Sequence, residues 1–142
     1  MRVPPSDPHG TALGGSRHFS YVARHAAPGK ARAAITAYAR EHGAGPDLLS
    51  AIALAVSEAV TNAVVHAYRD GAVPGRVELT ASAARGELTV TVSDNGSGLR
   101  ATRNNPGLGL GLALIAQSAD GFDLERGSAG GLVVRMRFRL DR

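Results

Sequence analysis

The chain has no cysteine and no tryptophan, and only three phenylalanines and three tyrosines. Without thiols, a disulfide framework and a thiolate metal site are both excluded. Aromatics at 4% leave little for stacking nucleobases. Lysine is almost missing too: Lys30 stands alone, and the other fifteen of sixteen basic residues are arginine. The arginines are scattered along the chain rather than clustered, so a pI of about 10.3 reads as composition bias rather than a nucleic-acid footprint. The five histidines show no close ligand pairing, which argues against zinc. No uncharged apolar run reaches the ~20 residues needed to cross a bilayer, and the N-terminus lacks a signal-peptide core. The expectation is a cytoplasmic protein with no membrane and no direct nucleic-acid partner.

What is present suits a single domain. A chain of 142 residues with 44% hydrophobic and 20% charged composition buries roughly two-thirds of its unfolded surface. Residues 1–16 are rich in proline and glycine and read as a disordered tail, leaving a domain over 17–142. Phe19–Ala23 suits a short strand. Pro28 suits the first turn of a helix running to about His42, with Ile35, Tyr38 and Ala39 inward. Asp47 then sits at the start of a second, longer helix that runs to about Tyr68.

Two alternating strands follow, joined tightly at Arg85-Gly86. Val77, Leu79 and Ala81 alternate with polar residues, as do Leu88, Val90 and Val92. Asp94 continues the inward register of the second strand, so a carboxylate is expected on the core side. After a polar stretch, Gly107-Leu108-Gly109-Leu110-Gly111-Leu112 opens a third helix reaching about Ala119. Phe122–Arg126 and Gly131–Leu140 form a final hairpin whose Arg135, Arg137 and Arg139 face outward. Every strand has one polar face, so helices can cover only one side. The fold class is α/β, a two-layer α/β sandwich.

The anomaly lies in the second helix. Its run Ser57-Glu58-Ala59-Val60-Thr61-Asn62-Ala63-Val64-Val65-His66 carries Glu58, Asn62 and His66 four residues apart, on one face of an otherwise apolar helix. On their own, Glu58 and Asn62 also fit a hydrogen-bonded pair in a helix interface. The glycine clusters favour a ligand site instead. Asp94-Asn95-Gly96-Ser97-Gly98 sets a carboxylate beside backbone that can approach a flat ligand. A carboxylate accepts hydrogen bonds, so it suits an exocyclic amine such as that of adenine and opposes the carbonyl of guanine. Gly107, Gly109 and Gly111 open a helix, where free N–H groups attract phosphate. No Rossmann offset and no P-loop lysine accompany them. His66 reads as a structural helix-end residue, and Arg32 as a solvated arginine.

Glu-x-x-x-Asn on a helix, Asp-x-Gly-x-Gly after a strand and Gly-x-Gly-x-Gly opening a helix together resemble the GHKL superfamily of gyrase, heat-shock chaperone, histidine kinase and MutL. Over about Arg17–Leu140, the pattern is most similar to the anti-sigma-factor serine/threonine kinases, the RsbW-like group. The resemblance implies the Bergerat ATP-binding fold, with a mixed sheet and helices on one face. It implies that Asn62 binds the Mg2+ of ATP, Glu58 is the general base, Asp94 reads adenine, and Gly96 and Gly98 shape its pocket. Gly107, Gly109 and Gly111 would close over the phosphates. The implied partners are a sigma factor and an anti-anti-sigma protein of the STAS type, and the implied assembly is a homodimer. Arg32 lies where the family contacts partners.

A base one turn before Asn62 suits a hydroxyl acceptor, since a histidine ring nitrogen needs no deprotonation. Only eight residues, Leu99–Pro106, separate the two glycine boxes, a shorter lid than the family's better-known members resemble one another in having. Arg100 and Arg103 lie within it, where pairing with phosphate oxygens would partly compensate. Three functions therefore stay open: a kinase that also sequesters a sigma factor, a non-catalytic nucleotide-binding module, and a small ATPase.

Overall fold

The computed structural model describes residues 11–13, 15–68, 75–94, 106–127 and 131–141. In chain order the elements are β1 (Thr11–Leu13), β2 (Ser16–Val22), α1 (Ala27–Glu41), α2 (Pro46–Tyr68), β3 (Arg76–Ala84), β4 (Glu87–Asp94), α3 (Pro106–Ser118), β5 (Gly121–Arg126) and β6 (Leu132–Arg139). Six strands form one sheet in the order β1-β2-β3-β4-β6-β5.

Period-2 alternation decides which face the helices cover. The pairing register sets Phe19, Leu79, Val92 and Val134 in one row across β2, β3, β4 and β6, and all four are buried. The neighbouring row of His18, Thr80, Thr91 and Arg135 belongs to the opposite, polar face. There Arg137 donates to Asp123 at 2.7 Å and Arg135 lies 3.5 Å from Glu125. A two-layer sandwich results.

Helix boundaries follow local chemistry. Proline occupies the first turn of α1, where its missing N–H costs nothing. At the other end the His42 ring Nδ1–H donates to the Tyr38 carbonyl at 2.8 Å, and Gly43 takes a positive φ of 95°. Both helices lay apolar stripes on the sheet. Ile35 and Ala39 of α1 meet Leu48, Ile52, Val56 and Val60 of α2 above Leu79, Leu88, Met136 and Phe138. Each of the larger of these side chains stabilises the fold by roughly 1.5–3 kcal/mol through removal from water. The stretch Pro46–Val65 is long and apolar enough to cross a bilayer, but 44% of it is buried inside the fold, the behaviour of a core helix.

Two features differ from the sequence expectations. The stretch read as a tail contributes Thr11–Leu13 and Ser16 to the sheet, because Gly15 at φ 91° lets the chain turn back on β2. The expected mixed sheet is also replaced by one whose five described pairings are all antiparallel. The α1–α2 pair returns the chain to the end of β2 it left, so β3 runs back beside it. Strand β5 does run parallel to β4, but β6 lies between them.

Candidate functional site

On α2, Leu48, Ile52, Ala55, Val56, Ala59, Val60 and Ala63 are buried, whereas Glu58 and Asn62 are half-buried at the margin of that stripe. A spacing of four stacks them one turn apart. What they face is fixed by Gly111 of α3. A methyl group on Gly111 would come within 2.8 Å of Asn62 Nδ2, 3.3 Å of Asn62 Oδ1 and 3.3 Å of Glu58 Oε2. The carboxylate and the carboxamide thus converge on one point of the α3 backbone. A residue without Cβ leaves the ends of both side chains room to stay in place against α3.

The preceding residue faces another way. Ser57 Oγ accepts a hydrogen bond from Arg32 Nη1 of α1 at 3.2 Å. Arg32 is exposed, as expected for a solvated arginine, and it also ties α1 to the polar turn of α2.

Asp94 lies at the end of β4, opposite Val77 and in line with Leu88, Val90 and Val92. Its burial, at 7% exposure, confirms the inward register. A carboxylate there is costly without compensating polar contacts. Gly131, which the sequence reading did not single out, has a specific task beside it. A methyl group on Gly131 would collide with the Asp94 main-chain carbonyl and lie 3.2 Å from Asp94 Oδ1. The Gly131 carbonyl also accepts from Gly127 N–H at 2.6 Å, closing the connection between β5 and β6. The signal in the sequence was the doubled Gly130-Gly131 directly before a strand.

Helix α3 begins at Pro106, so Gly107, Gly109 and Gly111 all fall within its first two turns, matching the expected helix start. Position 66 lies in the last turn of α2. Gly96, Gly98, Arg100, Arg103 and the rest of the short lid up to residue 105 lie outside the described residues. Among the described residues, no three His, Cys, Asp or Glu side chains cluster. A cation held here would therefore rest on few protein ligands, as magnesium does when a nucleotide supplies much of its shell.

The structure thus brings a carboxylate and a carboxamide of one helix together against a glycine of a second, and separately sets a buried carboxylate beside Gly131 at a strand end, on the sheet face that the helices cover. Residues 21–138 match the histidine kinase-like ATPase domain, and the chain belongs to that family. Among curated proteins it is 31% identical over 121 residues to the anti-sigma F factor of Clostridium botulinum (strain Eklund 17B / Type B), covering 75% of this chain and 82% of that one. It is 36% identical over 83 residues to the anti-sigma F factor of Clostridium perfringens (strain SM101 / Type A), 57% of each chain. A solved structure of the RsbU and RsbW domains of Rv1364c from Mycobacterium tuberculosis superimposes with a TM-score of 0.69 at 26% identity. That match covers 88% of this chain and 32% of the longer one.

Proposed function

We propose that this chain is a cytoplasmic anti-sigma regulator that binds Mg-ATP, phosphorylates an anti-anti-sigma protein on serine or threonine, and sequesters a sigma factor. The observation that carries the reading is the convergence of Glu58 and Asn62 on Gly111. Similarity to anti-sigma F factors supports the regulatory half of it. The residues fit the nucleotide. The two close glycine approaches, at Gly111 and Gly131, keep side chains away from Asn62 and Asp94. A carboxamide oxygen is a suitable hard ligand for magnesium.

In this reading Asn62 holds the metal and Asp94 accepts a hydrogen bond from the adenine amine. Gly96 and Gly98 leave room for the ring, and Gly107 and Gly109 present backbone N–H groups at the start of α3. When bound, Mg-ATP supplies the phosphoryl group and the charge neutralisation that its transfer needs. Glu58 takes the proton of the acceptor hydroxyl as that oxygen attacks, a contribution of roughly 10²–10⁴ in rate. The eight-residue connection from Leu99 to Pro106 favours a second reading, in which the nucleotide is a structural ligand and regulation is by sequestration alone.

The deciding experiment incubates the protein with labelled ATP and candidate anti-anti-sigma proteins and scores phosphoserine. Glu58→Gln should lower transfer at least a hundredfold while ATP affinity stays within about twofold. Transfer at the unaltered rate in Glu58→Gln removes the base, and no transfer by the unaltered protein to any candidate leaves the sequestering module.

A further inference from the structure

We infer that Gly131 is a positioning residue for base recognition: it fixes the Asp94 carboxylate and so sets the preference for an adenine amine over a guanine carbonyl. The inference rests on the reading of Asp94 as the group that meets the base.

A carboxylate tells one base from another only when its oxygen sits within hydrogen-bond reach and in line with the base edge. The sheet alone holds Asp94 on one side. Its ladder partner on β3 is Val77, but the β4–β6 pairs end one residue earlier, at Ser93 and Val133. On the β6 side, what meets Asp94 is Gly131. The position that an L side chain would take at residue 131 is filled by Asp94 itself. A methyl group there would collide with the Asp94 main-chain carbonyl and lie 3.2 Å from Oδ1. One residue thus borders both the backbone and the carboxylate of Asp94.

Gly131 has little freedom to move away. It is buried, and Leu132 next to it is part of the core. Its carbonyl accepts from Gly127 N–H at 2.6 Å. Gly127 is itself close packed, since a methyl group there would lie 3.3 Å from the Gly131 carbonyl and 3.4 Å from Val133 Cγ2. Strand β6 is also flanked on both sides, by β4 and β5. When residue 131 grows, the end of β4 is therefore the part that yields, because a close-packed interior transmits the strain.

A displaced carboxylate loses its bond to the adenine amine and no longer opposes the guanine carbonyl as closely. Both changes narrow the preference between the two nucleotides. Asn62 belongs to α2 and faces Gly111, so the magnesium-dependent part of binding is not touched. A general loosening of the fold would weaken both nucleotides alike.

The test measures the affinities of the full chain for Mg-ATP and Mg-GTP by titration calorimetry, in a double-mutant cycle of Gly131→Ala and Asp94→Asn. Gly131→Ala should narrow the preference for ATP about tenfold, as expected for a lost hydrogen bond, and leave unchanged the factor by which magnesium strengthens ATP binding. In the Asp94→Asn background the same change should alter the preference by less than about twofold, because the group it displaces no longer carries it. Circular dichroism checks the fold. Gly127→Ala, whose methyl presses the Gly131 carbonyl, is the milder variant and should narrow the preference roughly two- to threefold. An unchanged preference in every folded glycine variant overturns the inference while leaving Asp94 as the base-reading group. So does a narrowing by Gly131→Ala that is as large without the carboxylate as with it. Equal affinity of the unaltered protein for both nucleotides removes the reading of Asp94, and the inference with it.

Discussion

A side chain at position 111 has nowhere to go except into Asn62, and the two glycines beside the site differ in what such a side chain would strike. At Gly111 the obstacle is the amide end of Asn62, 2.8 Å away, which can swing aside. Alanine also gains about 1 kcal/mol of helix propensity over glycine, which offsets much of the overpacking. Gly111→Ala should therefore leave the urea midpoint nearly unchanged yet lower Mg-ATP affinity about tenfold by turning Asn62 away, as titration calorimetry would read. At Gly131 the obstacle is the main-chain carbonyl of Asp94, which is held in the sheet. Gly131→Ala should cost about 2 kcal/mol or more in the same urea titration. If Gly111→Ala binds Mg-ATP normally, Asn62 does not hold the metal. At this scale, Glu58, Asn62 and Asp94 were legible because each is a polar residue interrupting an apolar register. Gly131 was not, because the need for it arises from a strand almost forty residues earlier that only the folded sheet brings near.

The β3–β4 hairpin shows how far an element can be read locally. Regular alternation on both sides of Arg85-Gly86 was enough to find both strands and the turn, and the observed register pairs Ala84 with Glu87 across it. Both turn residues have positive φ, 54° and 75°, the mirror-image type I turn that matches strand twist. Arginine pays a steric cost in that region that asparagine largely avoids. Arg85→Asn should thus raise stability by about 0.5–1 kcal/mol, seen as a higher urea midpoint with an unchanged slope. A lower midpoint would mean that Arg85 makes a compensating contact.

The helices were equally readable, to within a residue or two, from proline, glycine and apolar spacing. Strand β1 was not, because three residues among prolines and glycines carry no periodicity of their own. It exists by virtue of its partner. The sheet order likewise could not come from local pattern, since the insertion of β6 between β4 and β5 is a choice among long-range pairings.

At the scale of the molecule, the proposed site lies between elements that are distant in sequence: α2, the end of β4 and the start of α3. A ligand seated there joins segments whose apolar contacts already form one core, so binding should stabilise the whole domain. At a hundred times its dissociation constant, a ligand that binds only the native state contributes about 2.7 kcal/mol. For a chain of this size, that corresponds to a rise in melting temperature of roughly 6–12 °C. Mg-ATP should produce it and Mg-GTP, at the same concentration, should produce much less, because Asp94 offers guanine an acceptor where a donor is needed. Asn62→Ala should remove the part of the ATP shift that depends on magnesium and leave the part seen with chelator. Asp94→Asn should narrow the gap between the two nucleotides, since a carboxamide can donate as well as accept. Equal shifts with ATP and GTP in the unaltered protein would show that the buried carboxylate at the end of β4 serves the sheet rather than the base.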